Sequence, residues 1–282
     1  MEIIYGSKIA INKRAKQILK IENLYNKLHK KPKLAIVLVG NNPASLSYVG
    51  AKKRACAKVG LDFDLYHLDE NTTEDIIKKL ISDLNKDSAV NGILVQLPLP
   101  KHLDSEMIID LIDPIKDVDG LNSINAGKLV KRKEALFPCT ALGIIELLNE
   151  TKINLEGKHL CMIGRSNLVG LPAALLALNE NMTVTICHSK TKNLKAISSS
   201  ADIVVVAIGK AKFINKDYLK KDAIVIDVGI NRLDDSIVGD VDFEDVKDIV
   251  SYITPVPKGV GPMTISALID NTIKAMELQN GL

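Results

Sequence analysis

The sequence predicts an α/β fold with two α/β domains flanking a cleft. Short apolar runs of strand length alternate with segments of helical spacing along nearly the whole chain. The strand-like runs are apolar throughout, a pattern typical of parallel sheets covered by helices on both faces. A length of 282 residues is enough for two ordinary domains, since one domain takes roughly 100–200 residues.

The first half of the chain contains three helical and three strand-like segments. Helical spacing covers residues 8–29, 43–59 and 73–84, and strand-like runs cover 34–39, 63–67 and 92–96. The rhythm then breaks in a polar connection at about residues 113–132. We expect this connection to lead out of the first domain.

A second alternating series follows a junction near Pro138. It contains strand-like runs at 160–163, 183–187, 203–207 and 223–227 and a helical segment at 171–178. A Pro- and Gly-rich stretch at 255–262 precedes a last helix at about 264–278 and is suited to carry the chain back to the first domain. We therefore expect one domain over 1–137, completed by 262–282, and a second over 138–261.

Composition narrows the class of protein. Hydrophobic residues make up 46% of the chain, which excludes wholesale disorder, and a net charge of +3 with 4% aromatic residues argues against a nucleic-acid surface. The four cysteines lack the close spacing of a disulfide framework or a zinc site, so we expect reduced thiols, no metal and a cytoplasmic protein. The N-terminus lacks the pattern of a secretory signal, and no apolar run approaches the roughly 20 residues of a membrane span.

A glycine-bearing turn in the second half suggests dinucleotide binding. The run from Gly164 through Arg165 and Ser166 to Gly170 follows a predicted strand and opens a predicted helix. Glycines in that context let the backbone approach phosphate at a helix N-terminus. The run is not the standard GxGxxG, because Ser166 replaces the second glycine, and a tight turn without a ligand is the alternative.

The residues after the next strand favour NADP over NAD. NAD-binding turns usually carry an acid here for the ribose 2′-hydroxyl, but this chain has Ser189. Arg165 and Ser189 are suited to a 2′-phosphate. The alternative for Arg165 is a solvated turn residue, and the alternative for Ser189 is a helix N-cap.

Gly209, Gly229 and Ile230 end two further strands and would flank the nicotinamide and its ribose, although each alone is equally consistent with an ordinary loop.

The first half carries four polar residues that are candidates for a catalytic site. Tyr48 and Lys52 have an i, i+4 spacing on a predicted helix, where a dry setting would lower the pKa of the amine; the alternative is a solvated basic face. Gln96 ends a strand and could orient a lysine or merely anchor a loop. Asp119 could grip an amino-heterocycle or cap a turn.

Taken together, these motifs resemble one family over nearly the whole chain. They are Val39-Gly40 with Pro43-Ala44-Ser45, Tyr48-Val49 with Lys52, residues 92–100 and 116–121, Gly164-Arg165-Ser166 with Val169-Gly170, Cys187-His188-Ser189, and residues 259–264. The resemblance is to the bifunctional methylenetetrahydrofolate dehydrogenase/methenyltetrahydrofolate cyclohydrolases. It implies oxidation of 5,10-methylenetetrahydrofolate with NADP and hydrolysis of the methenyl product to 10-formyltetrahydrofolate, in one-carbon metabolism and purine biosynthesis.

The resemblance also implies residue roles and an assembly. Lys52 would be the acid/base of hydrolysis, Gln96 would orient it, Tyr48 would pack on the folate and Asp119 would hold the pterin ring, with Pro262 also in the substrate site. NADP would be bound in a Rossmann-like second domain by Gly164, Arg165, Ser166, Ser189 and Ile230. Homodimers would form through the nucleotide domains.

Two residues depart from the family pattern. Ala141 and Lys258 stand where Pro and Gly are usual, and neither change removes a proposed catalytic group. Two other functions stay open at this point. One is a dehydrogenase with a single activity on the same scaffold, and the other is a non-catalytic nucleotide- or folate-binding module.

Overall fold

The computed structural model describes residues 1–234 and 236–282 and divides the chain into two compact units. The six-stranded unit comprises Met1–Ile11 and Thr140–Thr264, and the three-stranded unit comprises Asn12–Cys139 and Ile265–Leu282. The chain passes between the units within its first and last long helices and between residues 139 and 140.

The elements follow one another in αβ alternation. In chain order they are β1 (Glu2–Ile3), α1 (Gly6–Leu28), β2 (Lys33–Val39), α2 (Pro43–Val59), β3 (Asp62–Leu68), α3 (Glu74–Lys86), β4 (Gly92–Val95), α4 (Ser105–Asp110), α5 (Ser123–Val130), α6 (Cys139–Glu150), β5 (His159–Ile163), α7 (Gly170–Asn179), β6 (Thr183–Cys187), α8 (Leu194–Ser198), β7 (Ile203–Val206), β8 (Ile224–Asp227), β9 (Asn231–Leu233), β10 (Ser236–Val238), α9 (Phe243–Val246), β11 (Tyr252–Ile253) and α10 (Val260–Gln279).

The three-stranded unit is built on a parallel sheet of order β3-β2-β4. The central strand β2 is apolar and buried from Leu34 to Val39, as expected for a strand covered on both faces. Helix α3 buries Ile77, Ile81 and Leu84 against this sheet, with the i, i+4 and i, i+7 spacing of an amphipathic helix. The edge strand β3 is more exposed.

The six-stranded unit has a parallel sheet of order β1-β11-β8-β7-β5-β6. Strands β5, β7 and β8 are buried along nearly their whole length, and their side chains join a core with residues of the following loops. A separate antiparallel hairpin, β9 and β10, follows β8. The two parallel sheets confirm the predicted fold class.

Two local features differ from the sequence-based expectations, and a third gives the reason for a residue usual in the family. The polar connection contains helix α5, because the Asn122 side chain caps it by accepting from Ile124 N at 2.8 Å. Helix α10 begins at Val260, so Pro262 lies in its first turn, where proline is tolerated. Lys258 has φ +86°, in the left-handed region that favours glycine, which is a physical reason for the glycine usual there.

None of the described helices has the length and apolarity to cross a bilayer.

Candidate active site

Helix α2 carries the first two predicted site residues. The Asn42 side chain caps the helix by accepting from Ala44 N at 3.0 Å and Ser45 N at 3.1 Å, so the start of the helix is fixed. Tyr48 and Lys52 follow one turn apart. Tyr48 is 40% exposed and Lys52 is partly buried, so the phenol ring is open to a ligand while the amine is partly withdrawn from water.

Gln96 holds the amine of Lys52. Lys52 Nζ donates to Gln96 Oε1 at 2.9 Å. The Gln96 amide is itself fixed, because its Nε2 donates to Leu97 O at 2.8 Å and its backbone N donates to Val37 O at 2.9 Å. The end of β4 therefore turns one amide oxygen toward a lysine 44 positions earlier in the sequence.

Asp119 stands beside this pair on a turn that Asp117 organises. The buried Asp117 carboxylate accepts from Gly120 N at 3.1 Å, Asn122 N at 2.8 Å and Asn125 Nδ2 at 3.1 Å. Gly120 has φ +74°, and a Cβ there would lie 2.2 Å from Phe137 C, so only glycine fits. Desolvation of Asp117 raises its pKa to about 6.

Burial shifts the pKa values of Lys52 and Asp119 in ways that favour proton exchange. Burial lowers the pKa of Lys52, and the neighbouring Asp119 carboxylate opposes that shift. Burial likewise raises the pKa of Asp119, against the attraction of Lys52 and a hydrogen bond from Cys139. Burial also raises the pKa of Tyr48. An amine with a lowered pKa is neutral in a larger fraction of molecules near pH 7, as a base must be.

Two thiols that sequence reasoning missed lie near the amine. Cys56 is one helical turn after Lys52, and Cys139 opens α6. Cys139 Sγ donates to Val118 O at 3.1 Å, and Asn271 Nδ2 anchors the same carbonyl at 2.9 Å. Burial raises the pKa of Cys56 to about 12 and that of Cys139 well above its usual range, so both thiols are neutral. The four-residue spacing from Lys52 to Cys56 was the signal available in the sequence.

The predicted dinucleotide turn closely follows β5. Gly164 has φ +129°, and a Cβ there would lie 2.3 Å from Ala207 O. A Cβ on Gly170 would lie 2.4 Å from Gly164 O, so both glycines are required by close backbone packing. Ser166 Oγ accepts from Val169 N at 3.2 Å and Gly170 N at 3.4 Å, which ties the turn to the start of α7. Arg165 and Ser166 are exposed.

The other predicted nucleotide residues lie at the same carboxyl edge of the sheet. Ser189 is an exposed turn residue after β6, five positions before α8, so the N-cap reading is wrong. Ile230 is 53% exposed just after β8. Pro262, on α10, is partly exposed and belongs to the six-stranded unit, whereas Lys52, Gln96 and Asp119 belong to the three-stranded unit.

Comparison with known families accounts for both units. The catalytic domain of tetrahydrofolate dehydrogenase/cyclohydrolase matches residues 4–119, and the NAD(P)-binding domain of the same enzymes matches residues 138–280. The chain belongs to the tetrahydrofolate dehydrogenase/cyclohydrolase family. The resemblance found in the motifs is therefore confirmed.

Individual relatives in this family match nearly the full length. The Bifunctional protein FolD of Oceanobacillus iheyensis is 53% identical over 269 residues, which is 94% of each chain. The crystal structure of the bifunctional enzyme FolD from Campylobacter jejuni has a TM-score of 0.96 and 46% identity and covers 100% of both chains. The Trypanosoma brucei FolD, solved with NADP cofactor and inhibitor, has a TM-score of 0.95 and 33% identity over 99% of this chain and 98% of its own.

Proposed function

We propose that this chain oxidises 5,10-methylenetetrahydrofolate to the 5,10-methenyl form with NADP and hydrolyses that product to 10-formyltetrahydrofolate. Family membership and the names of the full-length relatives support both activities. The observation that carries the proposal is the Lys52 amine, held at 2.9 Å by Gln96 and partly desolvated. The reactions place the enzyme in one-carbon metabolism, where formyl groups supply purine biosynthesis.

The residues of the six-stranded unit fit NADP. The turn after β5 keeps the glycine that dinucleotide-binding turns carry, because a Cβ on Gly164 would meet Ala207 O at 2.3 Å. Ser189 stands where an acid would repel a 2′-phosphate. Arg165 offers paired donors to that phosphate, Ser166 lies at the same turn, and Ile230 presents an apolar surface further along the edge. NADP, when bound, accepts the hydride, and the residues of the chain contribute binding and placement.

Hydrolysis needs a proton relay, which we assign to Lys52. The oxygen of a water molecule bonds to the methenyl carbon while one water proton passes to the neutral amine. Cleavage of the bond from that carbon to N5 then leaves the formyl group on N10, and the hydroxyl proton passes to N5. Gln96 keeps the amine in one orientation, and the lowered pKa of Lys52 avoids placing an ammonium against a cationic substrate.

Three further assignments belong to the proposal. Tyr48 packs against the folate, Asp119 binds the pterin ring, and Pro262 contributes to the substrate site. We assign folate binding mainly to the three-stranded unit and NADP binding to the six-stranded unit. The expected bounds, 1–137 with 262–282 and 138–261, are changed in that residues 1–11 and 262–264 belong to the six-stranded unit. The chain acts in the cytoplasm, in keeping with four cysteines that are all free thiols.

The same proposal includes a homodimer formed through the six-stranded units. Strand β6 ends the sheet and pairs only with β5 among the described residues. Ile186 on β6 and Leu171 and Leu178 on α7 are 38%, 36% and 44% exposed. An open strand edge beside exposed apolar side chains favours pairing with a second copy. Sedimentation equilibrium tests this, and a mass of one chain at all concentrations would contradict it.

One assay on purified protein tests the function and separates the alternatives. With methylenetetrahydrofolate and NADP, we expect both NADPH and the formyl product, and with methenyltetrahydrofolate alone we expect formyl product above the uncatalysed rate. NADPH without accelerated hydrolysis would identify a dehydrogenase with a single activity. Neither product would identify a binding module, and faster reduction of NAD would refute the cofactor assignment.

A further inference from the structure

A buried carboxylate in the six-stranded unit has no role in the reactions described above. Asp240 follows the β9–β10 hairpin and is 0% exposed. Its Oδ2 accepts from Ile208 N at 2.7 Å and Gly209 N at 2.9 Å. Its Oδ1 accepts from Lys210 N at 2.7 Å and Asn231 Nδ2 at 2.8 Å. One carboxylate thus binds three consecutive backbone amides and one side-chain amide.

Three consecutive amides aimed at one anion form the kind of concavity that binds phosphate in other proteins. Gly209 has φ +62°, in the left-handed region that favours glycine, and such a residue within a turn helps successive N–H groups point to one side. In this chain the concavity is filled by the protein's own carboxylate. The loop at Ile208–Lys210 is therefore ordered by an internal anion and is unavailable to phosphate.

The position of this loop connects it to dinucleotide binding. It follows β7 at the carboxyl edge of the sheet, where ligands bind in open parallel sheets. Its neighbour Ala207 lies against Gly164, since a Cβ on that glycine would meet Ala207 O at 2.3 Å. The loop after β8 is held by the same residue, because Asn231 binds Asp240 and a Cβ on Gly229 would lie 2.2 Å from Asp240 Cγ.

We propose that Asp240 is a positioning residue for the nicotinamide half of NADP: its carboxylate holds the loops after β7 and β8 at the spacing that this half of the cofactor requires. The inference rests on the proposed function. It predicts that changing Asp240 weakens binding of the nicotinamide half of NADP and leaves binding of the adenosine 2′-phosphate half unchanged. The adenosine half is assigned to Arg165 and Ser189, which lie on other loops.

The variant Asp240→Asn tests the proposal with little change in size. An amide can present an oxygen to only one of the two pairs of donors, so the other pair faces an NH₂ group whichever way the side chain is turned. Two donors lose their acceptor, and the loops lose their fixed spacing. The control is Asp242→Asn, two positions later, which removes a carboxylate of equal charge that precedes α9 but makes no capping hydrogen bond to it.

The measurement is the dissociation constant, by titration calorimetry, of NADP and of adenosine 2′,5′-bisphosphate, which represents the adenosine half. We expect Asp240→Asn to weaken NADP about tenfold, since leaving buried donors unpaired is costly, and to leave the bisphosphate unchanged. Asp242→Asn leaves both constants unchanged. Unchanged NADP affinity in Asp240→Asn, or an equal loss for both ligands, would overturn the proposal.

Wild-type protein supplies a second test that does not depend on folding of the variant. Because Asp240 already binds the amides of Ile208, Gly209 and Lys210, their hydrogen exchange is expected to be slow without NADP and little changed by it. Fast exchange that NADP then suppresses would overturn the proposal. Failure of the proposed function would look different, since wild-type protein would then bind neither ligand.

Discussion

Replacing Gln96 by methionine removes one interaction from the candidate active site while keeping the length of the side chain. In wild-type protein the Gln96 oxygen accepts from Lys52 Nζ at 2.9 Å, and Leu97 O holds the same amide by its nitrogen. Gln96→Met leaves the amine without this acceptor in a partly desolvated site. We expect the amine to lose its fixed direction toward the substrate.

The size of the effect follows from that single bond. As the amine takes the water proton, its bond to Gln96 becomes a hydrogen bond to a charged group, which contributes about 1.5–3 kcal/mol. The rate of hydrolysis should therefore fall roughly ten- to a hundredfold. Reduction of NADP should change far less, because hydride transfer depends on placement of the two reactants and not on a proton relay.

The assay follows both reactions on one preparation: loss of methenyl absorbance for hydrolysis and gain of NADPH absorbance for oxidation. The control is Gln17→Met. Gln17 is also buried, and its amide donates to Ser266 O at 3.0 Å and Asp270 Oδ1 at 2.9 Å. This variant should lose about 1–3 kcal/mol of stability with both rates unchanged. Unimpaired hydrolysis in Gln96→Met, or equal loss of both activities, would refute the assigned role.

Three further predictions concern the six-stranded unit. Arg165→Ala should lower the ratio of kcat/KM for NADP over NAD about tenfold, a change of about 1.4 kcal/mol in binding the 2′-phosphate; an unchanged ratio would place that contact elsewhere. In Gly164→Ala the added Cβ would meet Ala207 O at 2.3 Å, so the free energy of unfolding in urea should fall by about 1–3 kcal/mol. Gly157→Ala should cost less, because φ is +74° there but the space is open. Equal costs would argue against close packing at Gly164. Burial raises the pKa of Asp227 to about 7, so between about pH 4 and pH 7 the folded state keeps a proton that the unfolded state has lost. The stabilisation that this proton gives the folded state is fully present below this pH window and is lost as the pH rises through it. The free energy of unfolding of Asp227→Asn should therefore rise relative to wild type by up to about 1.4 kcal/mol per pH unit across the window, and parallel pH curves would contradict the shift.

Much of the fold could be predicted because hydrophobic periodicity reports local structure directly. The predicted bounds of α2 and β6 agree with the observed Pro43–Val59 and Thr183–Cys187. Strands β1 and β11 could not be predicted, because each has two residues and exists only through pairing with distant strands. Helix α5 was missed because its cap and polar residues resemble a loop in composition.

The candidate site, like the fold, could be predicted from the sequence only in part. The spacing of Tyr48 and Lys52 is a local pattern, but the pairing of Lys52 with Gln96 depends on the register that brings the end of β4 to α2. The position of Gln96 at a strand end left open whether it orients a lysine or anchors a loop, and the family resemblance pointed to Lys52. The proposed role of Asp240 could not be found from sequence, because three of its four partners lie 30–32 positions earlier in the chain and are backbone amides, which carry no side-chain signal.

The role of Lys52 is tested most directly by the two reactions in Lys52→Met, which keeps an unbranched apolar side chain and removes the amine. The control is Lys53→Met, on the same helix but exposed. We expect Lys52→Met to lose hydrolysis by about a hundredfold or more while oxidation continues with NADP, and Lys53→Met to keep both activities. Hydrolysis that persists in Lys52→Met, or that falls only in step with oxidation, would contradict the assignment of the proton relay to Lys52.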